Sequence, residues 1–224
     1  MQLHKYTSAQ QQAQAISEQL KHLIEQLLTT QSQVTLALSG GKSPIAIFTQ
    51  LSHYNLAWDR INLTLVDERF IPTSHEDSNE KLVRQHLLIN QAQVANFVGL
   101  VTSDNILQSV NNANLQIKHI DIAILGMGED GHTASIFPCC PELNSAINLE
   151  LMPEKYIITT PTSAKYQRIG LSLAGILEIK HLLISINGDA KLSILQQASS
   201  QLSIVYPISQ VLTRRPDCQV FWYN

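Results

Sequence analysis

Residues 34–51 read VTLALSGGKSPIAIFTQL, a strand, a glycine turn and a helix in succession. Val34–Leu38 is an apolar run of strand length, Ser39-Gly40-Gly41 is a turn, and Pro44 suits the first turn of a helix that continues from Ile45 to Leu51. The same unit recurs outward. Residues 61–66 form a second apolar run, followed by a polar loop over 67–77 and a helix that Ser78 can cap, with Leu82, Val83 and Leu87 inward. Upstream, Ser8 can cap a helix that carries Ala13, Ile16, Leu20, Leu23, Ile24 and Leu27 at helical spacing. Downstream, the pattern predicts strands at 97–101, 120–125, 156–160, 181–186 and 219–223, with helices at 103–117 and 189–197. Strands alternating with helices, one of them (120–125) almost without polar residues, predict an α/β fold: a doubly wound, mostly parallel sheet with helices on both faces. Ligands of such sheets bind beyond the carboxyl ends of the strands, which points to the loops after Leu38, Val66 and Leu125.

Composition narrows the classes. The chain has 224 residues, 44% of them hydrophobic and 15% charged, which excludes disordered and collagen-like chains and allows a core without disulfide staples. A chain of this length buries roughly 70% of its unfolded surface, and residues 1–224 read as a single domain. The net charge of −3, with Lys and Arg scattered, gives no footprint for nucleic acid or an anionic membrane, while a small anionic ligand remains compatible. Cys139, Cys140 and Cys218 have no metal-site spacing and read as inert thiols of a reducing compartment. The N-terminus is too polar for a signal peptide, and no apolar run reaches the roughly 18 residues of a membrane span. The expected location is the cytoplasm.

Three loops carry the candidate chemistry. The turn Ser39-Gly40-Gly41-Lys42-Ser43 offers backbone N–H groups and hydroxyls over a helix N-terminus, a geometry suited to a phosphate. A tight turn that needs glycine explains that segment equally well. It is not a P-loop, since that motif wants glycine where Leu36 stands. Gly126-Met127-Gly128-Glu129-Asp130-Gly131 matches G-x-G-x-x-G after a strand, but a dinucleotide fold needs a full helix there, and Pro138 interrupts. What that reading leaves unexplained is Asp130-Gly131-His132, a carboxylate and an imidazole in a glycine-built loop above the sheet. His132 is therefore a candidate general base, whereas the other seven histidines lie on polar faces or element ends. In Asp67-Glu68-Arg69, leaving the sheet on the same edge, Arg69 can face a phosphate or a developing oxyanion, and Asp67 can orient a ligand hydroxyl or Arg69.

Together, LALSGGKSP, WDRINLTLVDERFIP with DSN downstream, IDIAILGMGEDGHTASIFP, and Arg168 with NGDAK ending in Lys191 resemble the 6-phosphogluconolactonase family, whose fold is shared with glucosamine-6-phosphate deaminases. Order and spacing agree from Val34 to Lys191. The resemblance implies hydrolysis of a sugar-phosphate lactone, 6-phosphoglucono-1,5-lactone, without metal or organic cofactor. By position, His132 resembles the base that activates water and Arg69 the arginine near the lactone. Ser39, Gly40, Gly41, Arg168 and Lys191 resemble the substrate- and phosphate-contacting positions. Lys42 stands where Ser or Thr is usual, adding a cation beside the expected phosphate site. Gly170 stands where Thr is typical, a departure expected to loosen Arg168.

A lactone is an activated ester, so its hydrolysis needs a base and oxyanion donors rather than a covalent nucleophile. Gly170-Leu171-Ser172-Leu173-Ala174-Gly175 has the wrong spacing for a nucleophile elbow, and no His-Glu-x-x-His zinc motif occurs. The expected arrangement is His132 as base, oriented by Asp130, with Arg69 or loop amides holding the oxyanion. Two other readings stand beside it: a sugar-phosphate isomerase or deaminase, and a sensor that only binds. The resemblance implies that a deaminase carries glutamate where Phe137 stands here, and a sensor needs neither Asp130 nor His132.

Overall fold

The computed structural model describes all 224 residues, Met1–Asn224. Strands β1 (Gln2–Tyr6), β2 (Val34–Leu38), β3 (Ile61–Leu65), β5 (Asn96–Phe97), β6 (Ile122–Gly126), β9 (His181–Asn187) and β10 (Gln219–Tyr223) form one sheet in the order β1-β10-β9-β6-β2-β3-β5. Every neighbouring pair in it is parallel. Because all five residues of β2 and the first four of β6 are apolar or small and buried, these two strands occupy the middle.

Helices α1 (Ala9–Leu28), α2 (Ile45–Ser52) and α3 (Asn79–His86) lie in connections that run toward the β5 edge. Helices α4 (Ile106–Gln116), α5 (Leu143–Ala146), α6 (Leu173–Leu177), α7 (Asp189–Ser200) and α8 (Ile208–Arg214) lie in connections that run the other way. Right-handed crossovers put the two groups on opposite faces of the sheet. The packing agrees, with α1 against α2, α2 against α3, and α8 against both α6 and α7. Chain direction therefore reverses between β2 and β6, whose carboxyl ends flank the crevice where such sheets take their ligands. No helix is long and apolar enough to cross a membrane.

The structure departs from the sequence-based expectation at several points. A second, antiparallel sheet of β4 (Asp67–Arg69), β8 (Arg168–Leu171) and β7 (Tyr156–Thr159) replaces the start of the polar loop expected over 67–77. A three-residue charged strand has no local signal; it forms because Glu68 faces Ile169 and Arg69 faces Arg168 from far along the chain. β1 went unread because Leu3-His4-Lys5 is not an apolar run, yet as an edge strand it needs only one neighbour, β10. The strand expected at 97–101 shrinks to Asn96–Phe97. The helix expected from 103 starts at Ile106, since Asn105 caps it by accepting a hydrogen bond from Gln108 N at 3.1 Å.

Two buried polar side chains tie elements of the main sheet together. Gln12 of α1 donates from Nε2 to the carbonyls of Ile186 and Phe221, at 2.9 and 2.7 Å, and so ties the helix to β9 and β10. Asp121, just before β6, accepts from Thr35 N at 2.8 Å and from Gln31 Nε2 at 2.9 Å. Asp121→Ala leaves a buried Thr35 N–H without its partner beside the central strands, and should destabilise the fold by about 1–3 kcal/mol. Urea unfolding monitored by circular dichroism checks this, and an unchanged midpoint contradicts it.

Candidate active site

The loops after β2, β3 and β6 meet in an open cleft of about 410 Å³, closed on the far side by β8 and the start of α7. Its glycine turn comes from β2. Gly41 adopts φ 87°, a conformation L residues rarely take, and a Cβ on Gly40 would run into the Asn79 side chain. The amides of Gly40, Gly41, Lys42 and Ser43 donate to no group of the chain, which leaves a run of N–H donors at the entry to α2.

Two arginines face each other in the small sheet. Arg69 and Arg168 are register partners on antiparallel strands, Arg168 only 8% exposed, and neither guanidinium is in a salt bridge. Arg69 donates from Nη1 to Asp77 O at 2.5 Å, while its buried Nε has no partner. Arg168 donates from Nε to Tyr166 O at 3.3 Å. Burial pulls the Arg168 guanidinium below its ordinary value, Asp67 pulls it back up, and Arg69 pushes it down again. Like charges in register destabilise a strand pair, so this arrangement suits an anion placed between them and the cleft.

Glu68 holds this pair in place. Its buried carboxylate accepts four hydrogen bonds, from the amides of Arg69, Asn79 and Glu80 at 2.7–2.8 Å and from Ser78 Oγ at 2.9 Å. A carboxylate at a helix N-terminus is favoured by the helix dipole, and this one pins β4 to α3. Burial pushes the Glu68 carboxyl up, against the four donors that pull it down.

The loop after β6 carries the imidazole. His132 Nδ1 lies 2.5 Å from Asp130 Oδ1, which also accepts from His132 N at 3.1 Å. That pairing engages Nδ1 and leaves Nε2 without a partner in the chain, and His132 lines the cleft. Burial alone would raise the Asp130 carboxyl, but the hydrogen bonds and charge of His132 outweigh it and hold it below its ordinary value. Gly128 is required here, because a Cβ would collide with the His132 ring and the Asp130 carboxylate.

Beyond His132 the chain turns back on itself. Ile136 N donates to Thr133 O at 2.8 Å across Ala134 and Ser135, whose φ values of 48° and 65° are the type I′ pattern normally built from Asn and Gly. This strained turn is braced from both sides. Ser135 Oγ donates to Asp67 Oδ2, and the Ala134 carbonyl occupies the space that a Cβ on Gly170 would fill.

Of the residues singled out in the sequence, Ser39, Gly40, Gly41, Asp67, Arg69, His132, Arg168 and Lys191 line the cleft, and Asp130 adjoins it through His132. Lys191, in the first turn of α7, is half-buried and outside every salt bridge. Lys42 is exposed and does not line the cleft. Asp67 is engaged with Ser135 rather than with Arg69. Gly170 is buried in β8, and its lack of a Cβ leaves room for the Ala134 carbonyl. The supporting roles of Glu68 and Ser135 went unread because each depends on a partner that only the fold supplies. No group of three or more His, Cys, Asp or Glu comes together to hold a metal ion.

An α/β sheet with an anion-accepting crevice at its switch point and a carboxylate-paired histidine facing it defines a class of small-molecule site, and comparison with known proteins narrows it. The profile of the family described as "Glucosamine-6-phosphate isomerases/6-phosphogluconolactonase" matches residues 7–222. A 6-phosphogluconolactonase from Neisseria meningitidis is 36% identical over 226 aligned positions, covering 98% of this chain and 97% of that one. One from Helicobacter pylori is 36% identical, covering 99% and 97%. The crystal structure of a 6-phosphogluconolactonase from Shewanella baltica superposes with a TM-score of 0.93 at 30% identity, covering 100% of this chain and 98% of that one. The chain belongs to the glucosamine-6-phosphate isomerase/6-phosphogluconolactonase family.

Gly170→Ala places a methyl group against the Ala134 carbonyl and must shift either β8 or the strained turn. The expected outcome is a loss of at least roughly tenfold in kcat/KM with the fold retained, as for a displaced catalytic group. Steady-state kinetics beside a circular dichroism spectrum checks this; unaltered kinetics contradict it.

Proposed function

We propose that this chain hydrolyses 6-phospho-D-glucono-1,5-lactone to 6-phospho-D-gluconate, the second step of the oxidative pentose phosphate pathway, in the cytoplasm and as a single domain. The observation that carries the reading is the His132–Asp130 pair on the same cleft as two unpaired arginines. The names of its full-length relatives support it.

In this reading the phosphate sits among Arg168, Lys191 and the free amides of the Ser39–Ser43 turn. The lactone carbonyl is held toward His132. Nε2 of His132 takes a proton from water as the water oxygen bonds to the carbonyl carbon, and Asp130 stabilises the imidazolium that forms. Arg69, whose side chain lines the cleft, stabilises the negative oxygen of the tetrahedral intermediate. When the carbonyl re-forms, the bond to the ring oxygen breaks and that oxygen takes the proton from His132. The ring opens to the acid, which ionises. Lactone hydrolysis requires no further group.

The deaminase reading has less support. Phe137, not a carboxylate, lies against His132, with ring centroids 4.0 Å apart. A benzene ring has no proton to relay during sugar-ring opening.

His132→Ala should lower kcat by roughly 10²- to 10⁴-fold with the fold intact. The assay follows acid release from freshly made lactone against its spontaneous hydrolysis. Near-normal turnover of the folded variant assigns the base elsewhere. Under the same conditions glucosamine 6-phosphate should release no ammonia, and release at a comparable rate favours the deaminase.

A further inference from the structure

One hydrogen bond does not fix an imidazole. Asp130 anchors His132 at Nδ1, yet the ring can still swing about its own side-chain bonds, and with it the direction of Nε2. A second constraint on the ring face is present. The Phe137 ring stacks on His132 with centroids 4.0 Å apart and planes 24° from parallel, and Phe137 is itself buried. The same ring lies 5.8 Å from the Arg168 guanidinium carbon. One aromatic side chain thus stacks on the histidine and lies beside the buried cation of the cleft.

The backbone explains why Phe137 is there. Thr133 and Ile136 pair across the tight turn, so the residues flanking them, His132 and Phe137, are brought side by side. The turn places Ala134 and Ser135 in left-handed conformations that L residues rarely adopt, and such strain persists only where surrounding structure enforces it. Here the enforcement comes from Asp67 and Gly170, on the two strands that also carry Arg69 and Arg168.

We propose that Phe137 is a positioning residue for the hydrolysis: its ring sets the plane of His132, aiming Nε2 into the cleft, and ties that aim to the placement of Arg168. The assignment rests on the lactone reading above. An aromatic face also favours the imidazolium form in which His132 holds the water proton, a second contribution that an aliphatic side chain of similar bulk lacks.

Three variants separate this role from simple core filling: Phe137→Leu and Phe137→Met, both aliphatic, and Phe137→Tyr, which keeps the ring. The aliphatic variants should lose roughly tenfold in kcat, as expected for a lost aromatic stack. KM should move by no more than about threefold, since the cation contact is the longer of the two. Phe137→Tyr should restore kcat to within about threefold of the starting protein, as a retained stack requires. A spectroscopic readout needs no turnover: in the unaltered protein the His132 ring protons should resonate upfield through the Phe137 ring current, and this shift should vanish in the aliphatic variants. Unshifted protons in the unaltered protein overturn the proposal even if no aliphatic variant folds. So does a kcat that is indifferent to the ring. If the unaltered protein shows the ring-current shift but no lactone turnover, the functional reading has failed rather than the stacking.

Discussion

The facing of Arg69 and Arg168 across β4 and β8 is the constraint on which the site depends. Two guanidinium groups in register, one of them buried and neither in a salt bridge, repel each other and lose hydration, so a fold that keeps them must hold them by other means. It does so through the backbone. The strand pairing fixes their positions, Glu68 locks β4 to the N-terminus of α3 with four hydrogen bonds, and the carbonyls of Asp77 and Tyr166 each take one guanidinium N–H. Asp77 is also gripped by the Tyr166 hydroxyl at 2.9 Å, which joins the segments on either side of the pair. The cations are thus presented to the cleft before any ligand arrives, the preorganisation that electrostatic catalysis needs.

The same two strands control the histidine. Asp67 and Gly170, themselves register partners, brace the strained turn that places Phe137 on His132. Cation pair and imidazole are therefore not separate features of neighbouring loops. A change at Gly170 reaches both. The large parallel sheet contributes the frame: β2 and β6 are adjacent, and their carboxyl ends deliver the glycine turn and the His132 loop to one crevice.

Much of this was legible in the sequence, for identifiable reasons. Val34–Leu38 and the apolar residues after Asp121 announce central strands because burial on both faces demands uninterrupted apolar composition. Ser8 and Ser78 mark helix starts because their hydroxyls accept from the amides of Gln11 and Lys81, as the structure shows. Asp130 and His132 are two residues apart, so their pairing needs only a local loop. The small sheet was not legible. Asp67-Glu68-Arg69 and Arg168–Leu171 are too short and too mixed in composition to show alternation, and what makes them strands is each other. For the same reason the fit of Gly170 against the Ala134 carbonyl has no local signal. Lys42 drew attention by charge alone, and the turn leaves it exposed outside the cleft lining.

On the reading proposed above, buried Arg168 with half-buried Arg69 and Lys191, none of them in a salt bridge, suits this cleft to a phosphorylated sugar acid. Calorimetric titration with 6-phosphogluconate and with gluconate tests it most directly, since the two ligands share a carboxylate and differ in the phosphate. The phosphorylated acid should bind at least about tenfold more tightly, the gain expected from charge-assisted hydrogen bonds in a partly buried site, and Arg168→Met should remove most of that preference. Equal affinity for the two acids, or a preference that survives loss of Arg168, would contradict it.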